Sequence, residues 1–385
     1  MLRFFVVFCA ISIFVCGTTF LILKRRLGLS PSVNKVIAGF LLFIAILIVV
    51  GPLAYRSNLL NIKSYASGVL QSVQYFLMGW VGVCFLILLL LEILQALAKP
   101  FDPQKRIFFT EGVTRGLFAA ISLAVFGGLL EACSKPKITP VEIKLSTLPK
   151  TFDGATIAQF SDIHIGPLLQ RDFLEGVVDQ VLSLNADMIF ITGDLVDGTV
   201  SQLKDLMEPL KRLKAREGVY FCTGNHEFYS GPAEWIEYLE SIGIHVFKNS
   251  NVVLTRKTSN GSDEKLLIAG VHDWHADQYS ESYATDPTLA AHTTEAVNCK
   301  ILLAHNPFSI DGAAQAGFHF QVSGHTHAGQ FYPFVFLVKL KLKHVEGLYK
   351  INDQTQLYVN RGTGFWGPPN RLGKRSEITH FTLRA

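Results

Sequence analysis

The sequence predicts an α/β domain preceded by four transmembrane helices, on three observations. Apolar residues make up 49% of the 385 positions and charged residues only 17%, against about a quarter charged in an ordinary soluble protein. The apolar excess is concentrated in four runs at the front, at about 4–23, 36–55, 69–94 and 115–132. Beyond them, short apolar runs alternate with amphipathic ones, which is the punctuation of an α/β fold.

Each front run is close to the ~20 residues that cross a bilayer as helix. A signal peptide has one such run and a small-residue cleavage site, so four runs with short polar connections read as anchors in the cell membrane. Charge divides the chain at the same place: residues 1–136 hold 12 Lys+Arg against 4 Asp+Glu, and residues 137–385 hold 23 against 27. Domain limits of 1–136 and 137–385 result. The net charge of +4 is thus a membrane-flank property, and no nucleic-acid partner is expected.

Near the helix ends, Lys24, Arg25, Arg26, Lys35, Lys99, Lys105, Arg106 and Arg115 lie on one side, and Arg3, Arg56, Lys63, Lys135 and Lys137 on the other. This eight-to-five bias leans the first and third loops to the cytoplasm and both termini outward. Few charges lie within the runs, which suits an anchor better than an ion path. The six cysteines form no C-x-x-C spacing and no disulfide framework.

In the second half, 155–160, 187–192, 218–223, 300–304 and 318–323 read as buried strands. "RDFLEGVVDQVLSL" from Arg171 has helical spacing, and "GPAEWIEYLESIG" and "NPFSIDGAAQAG" each carry a proline near the start and a glycine at the end. The strands are informative for the loops at their ends, which open in turn with "SDIH", "GD", "GNHE", "HNP" and "GHTH". Chemistry in α/β folds collects at the carboxyl ends of strands, where the loops converge.

Metals of the Mn, Fe and Zn class take imidazole nitrogen together with carboxylate or amide oxygen. Seven side chains offer such atoms: Asp162, His164, Asp194, Asn225, His305, His325 and His327. Seven is too many for one tetrahedral ion and suits two divalent ions about 3.5–4 Å apart, with Asp194, alone on its loop, as the bridging carboxylate. Each motif by itself has an ordinary use. A strand-end Asp caps turns and Gly-Asn is common turn chemistry, whereas histidines at i and i+2 in a glycine loop rarely help packing.

Taken in order, "DIH", "GD", "GNHE", "H" and "GHTH" resemble the calcineurin-like metallophosphoesterases. The resemblance covers about 145–385, and the closing "RGTGFWGPPNRLG" is similar to the membrane-anchored branch of that family. It implies a four-layer α-β-β-α sandwich, with Asp162, His164, Asp194 and His327 on one ion and Asp194, Asn225, His305 and His325 on the other. It also implies that His226 is the catalytic histidine, stabilising the transferring phosphoryl group or protonating the leaving oxygen while a bridging hydroxide attacks phosphorus. The expected substrate is a phosphoester or pyrophosphate. Similarity to enzymes that cleave UDP-2,3-diacylglucosamine adds a lipid-linked substrate to the expectation.

Some residues have two readings. Arg361, Trp366 and Arg371 suit substrate recognition, the arginines for phosphate and the indole for a ring or acyl chain; equally, "GPP" beside a tryptophan suits a rigid packed loop. His272 and His275 in "GVHDWHAD" read as structural, with Asp273 left as a supporting acid. The run "FYPFVFLVKLKLK" alternates Lys339, Lys341 and Lys343 with leucines, as a strand with one polar face does. Alternatively, Phe331, Phe334 and Phe336 dip into a lipid headgroup layer. A non-enzymatic receptor or scaffold on the same fold would be expected to lose ligands or His226, and the chain keeps them all.

Overall fold

The computed structural model describes residues 2–56, 65–97 and 111–385. Lys63, Lys99, Lys105 and Arg106, which enter the charge count, lie outside them. The chain divides into two compact units, one of residues 1–133 with 367–372 and one of residues 134–366 with 373–385.

In the first unit, α1 (Leu2–Leu27), α2 (Pro31–Arg56), α3 (Tyr65–Leu97) and α4 (Val113–Ala132) contain four stretches long and apolar enough to cross a membrane. Less than a third of each stretch's most apolar window is buried within the chain itself, as suits lipid-facing helices. Cys16, Leu41, Ile44, Ile48 and Val81 close the centre of the bundle. At one end the buried Arg26 donates to Glu92 Oε1 at 2.6 Å and Gln95 Oε1 at 2.9 Å, since a guanidinium away from water needs a partner. The segment 367–372 adds to the same unit: Arg371 N donates to Gly128 O at 2.9 Å, and the Arg371 and Asn370 side chains are buried.

The second unit contains two six-stranded sheets. The first has the order β1 (Lys137–Lys144), β12 (Glu377–Arg384), β2 (Thr156–Phe160), β3 (Met188–Thr192), β4 (Val219–Cys222), β5 (His245–Val246), with β2 to β5 parallel. The second runs β10 (Gly347–Lys350), β11 (Gln356–Val359), β9 (Phe320–Ser323), β8 (Cys299–Leu303), β7 (Asp263–Gly270), β6 (Ser250–Lys257), with β11, β9, β8 and β7 parallel. Strand side chains alternate between faces. Met188, Phe190 and Phe381 of one sheet therefore meet Ile268, Ile301 and Phe320 of the other in one core. The helical elements are α5 (Arg171–Ser183), α6 (Val200–Leu203), α7 (Asn225–Tyr229), α8 (Pro232–Ser241), α9 (Pro287–Ala291), α10 (Ile310–Gln315) and α11 (Phe334–Lys341).

The outer face of the second sheet, Leu267, Ala269 and Leu302, packs on Ala290, Ala291 and Ala313 of α9 and α10. α5 buries Leu174, Val177, Val178 and Val181, the stripe its 3.6-residue spacing predicts. This is the sandwich of two sheets with helices outside. All five expected strands are present, four shortened by one or two residues and the fourth shifted by one to Cys299–Leu303.

Two expectations are corrected. "NPFSIDGAAQAG" is not one helix: a 3-10 turn at Pro307–Ser309 precedes α10. The run after the paired histidines is not a strand but helix α11, and Phe331 is buried rather than available to lipid. Lysine–leucine alternation over five residues is too short to distinguish period 2 from a helix whose lysines flank an apolar face.

Candidate metal centre

The parallel strands β2, β3, β4, β8, β9 and β11 aim their carboxyl ends at one place. Five of the candidate ligands sit there with left-handed backbone: Asp162 at φ 54°, His164 at 54°, Asp194 at 51°, His325 at 71° and His327 at 49°. Such a conformation costs a non-glycine residue of order 1 kcal/mol or more. Backbone bonds between the loops hold it: Asp162 N to Gly193 O at 3.0 Å, His164 N to Asp194 O at 3.1 Å, Gly364 N to Asp162 O at 3.0 Å. Gly193, at φ 75°, has no alternative. A Cβ there would stand 2.6 Å from Gly224 N and 2.7 Å from His305 Nδ1.

The loops assemble two sets, linked by a third made of His164, Asp194 and His226. Asp162, His164 and His327 form one, with His327 Nε2 3.3 Å from Asp162 Oδ1 and 3.1 Å from His164 Nε2. Asp194, His305 and His325 form the other, with His305 Nε2 3.1 Å from Asp194 Oδ2 and 3.2 Å from His325 Nδ1. The Asp194 Oδ2 that faces His305 also lies 3.8 Å from His164 Nε2, so one carboxylate oxygen serves both sets. His305 Nδ1 is 2.7 Å from the Thr192 carbonyl, to which only a protonated nitrogen can donate, and this turns Nε2 toward Asp194.

Two observations show that these side chains fit cations. Imidazole nitrogens facing each other at 3.1 and 3.2 Å repel unless a proton or cation lies between them. Asn225 Oδ1 is buried with no hydrogen-bond partner, although a buried amide oxygen ordinarily finds a donor. Together they present imidazole nitrogen, carboxylate and amide oxygen to a shared space, the donor set of divalent Mn, Fe or Zn.

The electrostatics arise from burial and mutual charge. Burial raises the Asp162 carboxyl above the ordinary range. Burial acts the same way on Asp194, but the imidazoles of His305 and His226 outweigh it and hold that carboxyl well below its usual value. Burial and then Asp194 push Glu227 up to about 7. Its carboxylate accepts from Asp194 N at 3.0 Å, Leu195 N at 2.7 Å and Gly224 N at 2.7 Å, tying the β3 loop to the start of α7.

Sequence reasoning missed Asp197. Its Oδ1 lies 2.5 Å from His226 Nδ1 and 3.1 Å from His164 Nδ1, so one oxygen orients both rings. The available signal was an acid three residues after the "GD" aspartate, in "GDLVDG". Burial alone would lower the His226 imidazole, but Asp194 and Asp197 raise it to about 9.

A family model described as calcineurin-like phosphoesterase matches residues 155–329. An uncharacterized metallophosphoesterase of Helicobacter pylori is 34% identical over 284 residues, covering 74% of this chain and 73% of that protein. The chain belongs to the calcineurin-like phosphoesterases. A Danio rerio protein named transmembrane protein with metallophosphoesterase domain is 38% identical over 268 residues, 68% of this chain and 60% of that protein. A Bos taurus protein of the same name is 36% identical over 263 residues, 67% of this chain and 59% of that protein.

Within this calcineurin-like unit the remaining expected residues fall in different places. Trp366 is at the centre, its ring 5.6 Å from that of His226 and its backbone clamped by Gln330, whose Nε2 donates to Trp366 O at 3.0 Å and whose Oε1 accepts from Trp366 N at 2.9 Å. Arg361 is engaged by carboxylates, with Glu346 at 3.0 Å and Glu377 at 3.8 Å from its Nε. Arg371 belongs to the helical unit and is fully buried. His272 is structural, with Nδ1 3.3 Å from Thr223 Oγ1 and its ring against Phe228 and Tyr283. Asp273 is buried with Oδ2 unpartnered, and it lines a cavity of about 130 Å³ with Asn225, Tyr229, His275 and Tyr279.

Proposed function

We propose that this protein is a membrane-anchored phosphoesterase that uses two divalent ions to hydrolyse a phosphoester or pyrophosphate bond, with a lipid-linked substrate as the favoured class. The observation that carries the reading is the pairing of two ligand sets through one Asp194 oxygen, with His226 beside them and its Nε2 4.0 Å from that same oxygen. Asp162, His164, Asp194 and His327 would hold one ion, and Asp194, Asn225, His305 and His325 the other. Ions so held supply Lewis acidity, neutralising charge on phosphoryl oxygens and making water acidic enough to act as nucleophile near neutral pH.

The chain's own residues do the rest. Asp197 holds the His226 ring with Nδ1 engaged, which directs Nε2 toward the Asp194 carboxylate, 4.0 Å from Oδ2, where it would meet the phosphoryl group or leaving oxygen. Without ions, Asp194 and Asp197 raise the His226 imidazole to about 9, and a protonated Nε2 would be the donor to the departing alkoxide. Asp197 stabilises that cation and fixes the ring's orientation, and the Trp366 ring stands edge-on to it at 5.6 Å. The cavity beside Asn225, edged by Tyr229 and Tyr279, gives the leaving group room. A receptor built on the same fold would have no use for a histidine so tuned.

The test is to purify the full chain, measure bound transition metal, and assay phosphomonoester, diester and lipid pyrophosphate substrates. Asp194→Asn is expected to lose both metal and turnover. His226→Ala is expected to keep metal and lose about 10²–10⁴ in kcat. Metal-loaded protein with no activity that either substitution reduces would overturn the assignment.

A further inference from the structure

We propose that the outward face of α11, with Tyr332 before it and Lys343 after it, docks on an anionic lipid surface. Side chains three or four residues apart share a face of a helix. On the inward face of α11, Val335 is buried, and Phe334 and Val338 are half-buried; Phe334 packs on Phe331 with ring centroids 5.0 Å apart. On the outward face Phe336 is 61% exposed, Leu337 48% and Leu340 85%, and Tyr332, 37% exposed, stacks against Phe336 at 5.3 Å.

A surface helix normally turns charged or polar residues outward, and a helix apolar on both faces needs a second apolar cover. Single exposed leucines are ordinary. Four large apolar side chains within two turns make a patch that a soluble surface rarely carries.

The charges around the patch select the occupant. Lys339 and Lys341 project from the two flanks of the outward stripe, one on each side, and Lys343 stands just beyond the helix, all three exposed. No acidic residue occurs from Phe331 to Val345. The next acid, Glu346, is already paired with Arg361 and Lys374. Lysines flanking an apolar stripe suit a headgroup layer: the stems lie along the acyl boundary while the ammonium groups reach phosphates. Another protein surface would need its own acidic rim around an apolar centre. This chain also has four helical stretches long and apolar enough to cross a membrane, which would keep a bilayer at hand.

Docking requires no catalysis, but it would bear on the proposed reaction. Gln330, two residues before Tyr332, holds Trp366 beside His226. If the phosphoesterase reading holds, a lipid-held phosphoester leaving the headgroup layer meets the site wall within a few residues of the docked face.

The experiment uses the full chain at one copy per nanodisc, with phosphatidylcholine alone or mixed with phosphatidylglycerol. Leu340→Trp is compared with the parent, so that the four native tryptophans are subtracted. The added emission should be quenched by lipid carrying a nitroxide near the headgroup end of its acyl chain and shielded from aqueous acrylamide. Replacing Lys339, Lys341 and Lys343 by serine should remove the dependence on phosphatidylglycerol, each lysine contributing about fivefold to the docked-to-undocked ratio. Emission quenched by acrylamide and not by the lipid nitroxide would overturn the proposal. So would emission shielded from both, which would mean that a segment of this chain or another protein covers the face. Size exclusion and the melting profile of each variant identify any that fails to fold, in which case Phe336→Trp replaces it. No docking of the Leu340→Trp chain with its lysines in place, beside intact phosphoesterase turnover, would refute this proposal and leave the function standing; docking without turnover would do the reverse.

Discussion

At the scale of single residues, Asp197 and Asn225 show what a neighbouring atom adds to a residue type. Asp197→Asn keeps the volume and one acceptor oxygen but removes the negative charge that His226 and His164 share. The expected outcome is a fall in kcat of about 10–100-fold with metal content largely retained, checked by elemental analysis beside steady-state kinetics. His272 gives a pH prediction away from the centre. Burial lowers its imidazole to about 4, against about 6.5 in an unfolded chain. Between those values the unfolded chain binds a proton that the folded chain refuses. Stability is therefore full above about pH 6.5 and falls as pH drops toward 4, by up to about 3 kcal/mol in all. His272→Gln should flatten the melting temperature across that window. The candidate ligands were legible because their spacing after strands is a sequence property. Asp197 was not, because its role depends on which ring nitrogens face it, and a lone aspartate in a glycine turn looks like turn chemistry.

Among the elements, buried parallel strands were the most legible, since each is a short apolar run ending in a loop that begins with Ser, Gly, Thr or His. α11 was the least legible. Pro333 at its entrance is a helix-start signal, yet the lysine–leucine alternation imitates a strand, and the apolar outward face gives no amphipathic contrast. Phe331, read as lipid-facing, packs inward because the chain reverses at Gly329 before the helix begins; Val335 Cα would lie 2.6 Å from a Cβ at Gly329. The β3 loop carries a sharper prediction. Gly193→Ala adds a left-handed penalty to a collision with the Gly224 backbone, and about 2–4 kcal/mol of destabilisation is expected. Hydrogen exchange should show the loops after β3 and β4 opening more often than the core strands between them. Unchanged protection would mean that the loops yield at little cost.

For the whole molecule, the division into a helical and an α/β unit was visible in hydropathy and charge, whereas the return of 367–372 to the helical unit was not. "GPPNRL" has no hydropathic signature, and what places it is a hydrogen bond to the Gly128 carbonyl and the burial of Arg371. Divalent ions that bind the folded centre alone should raise its melting temperature. At a hundred times the dissociation constant the gain is about 2.7 kcal/mol, and a chelator should remove it reversibly, with Asp194→Asn insensitive to both. The strand order of the first sheet bears on how the chain is made. β12 lies between β1 and β2, with Glu377 opposite Lys137 and Thr379 opposite Gln159. During synthesis every other strand of that sheet emerges well before the one that joins its first two. Until then β1 lacks its partner and β2 presents an unpaired edge, an invitation to pairing with other chains. The nascent α/β unit should therefore need a chaperone, or the restraint of helices already inserted in the membrane, while its last strand is still being added.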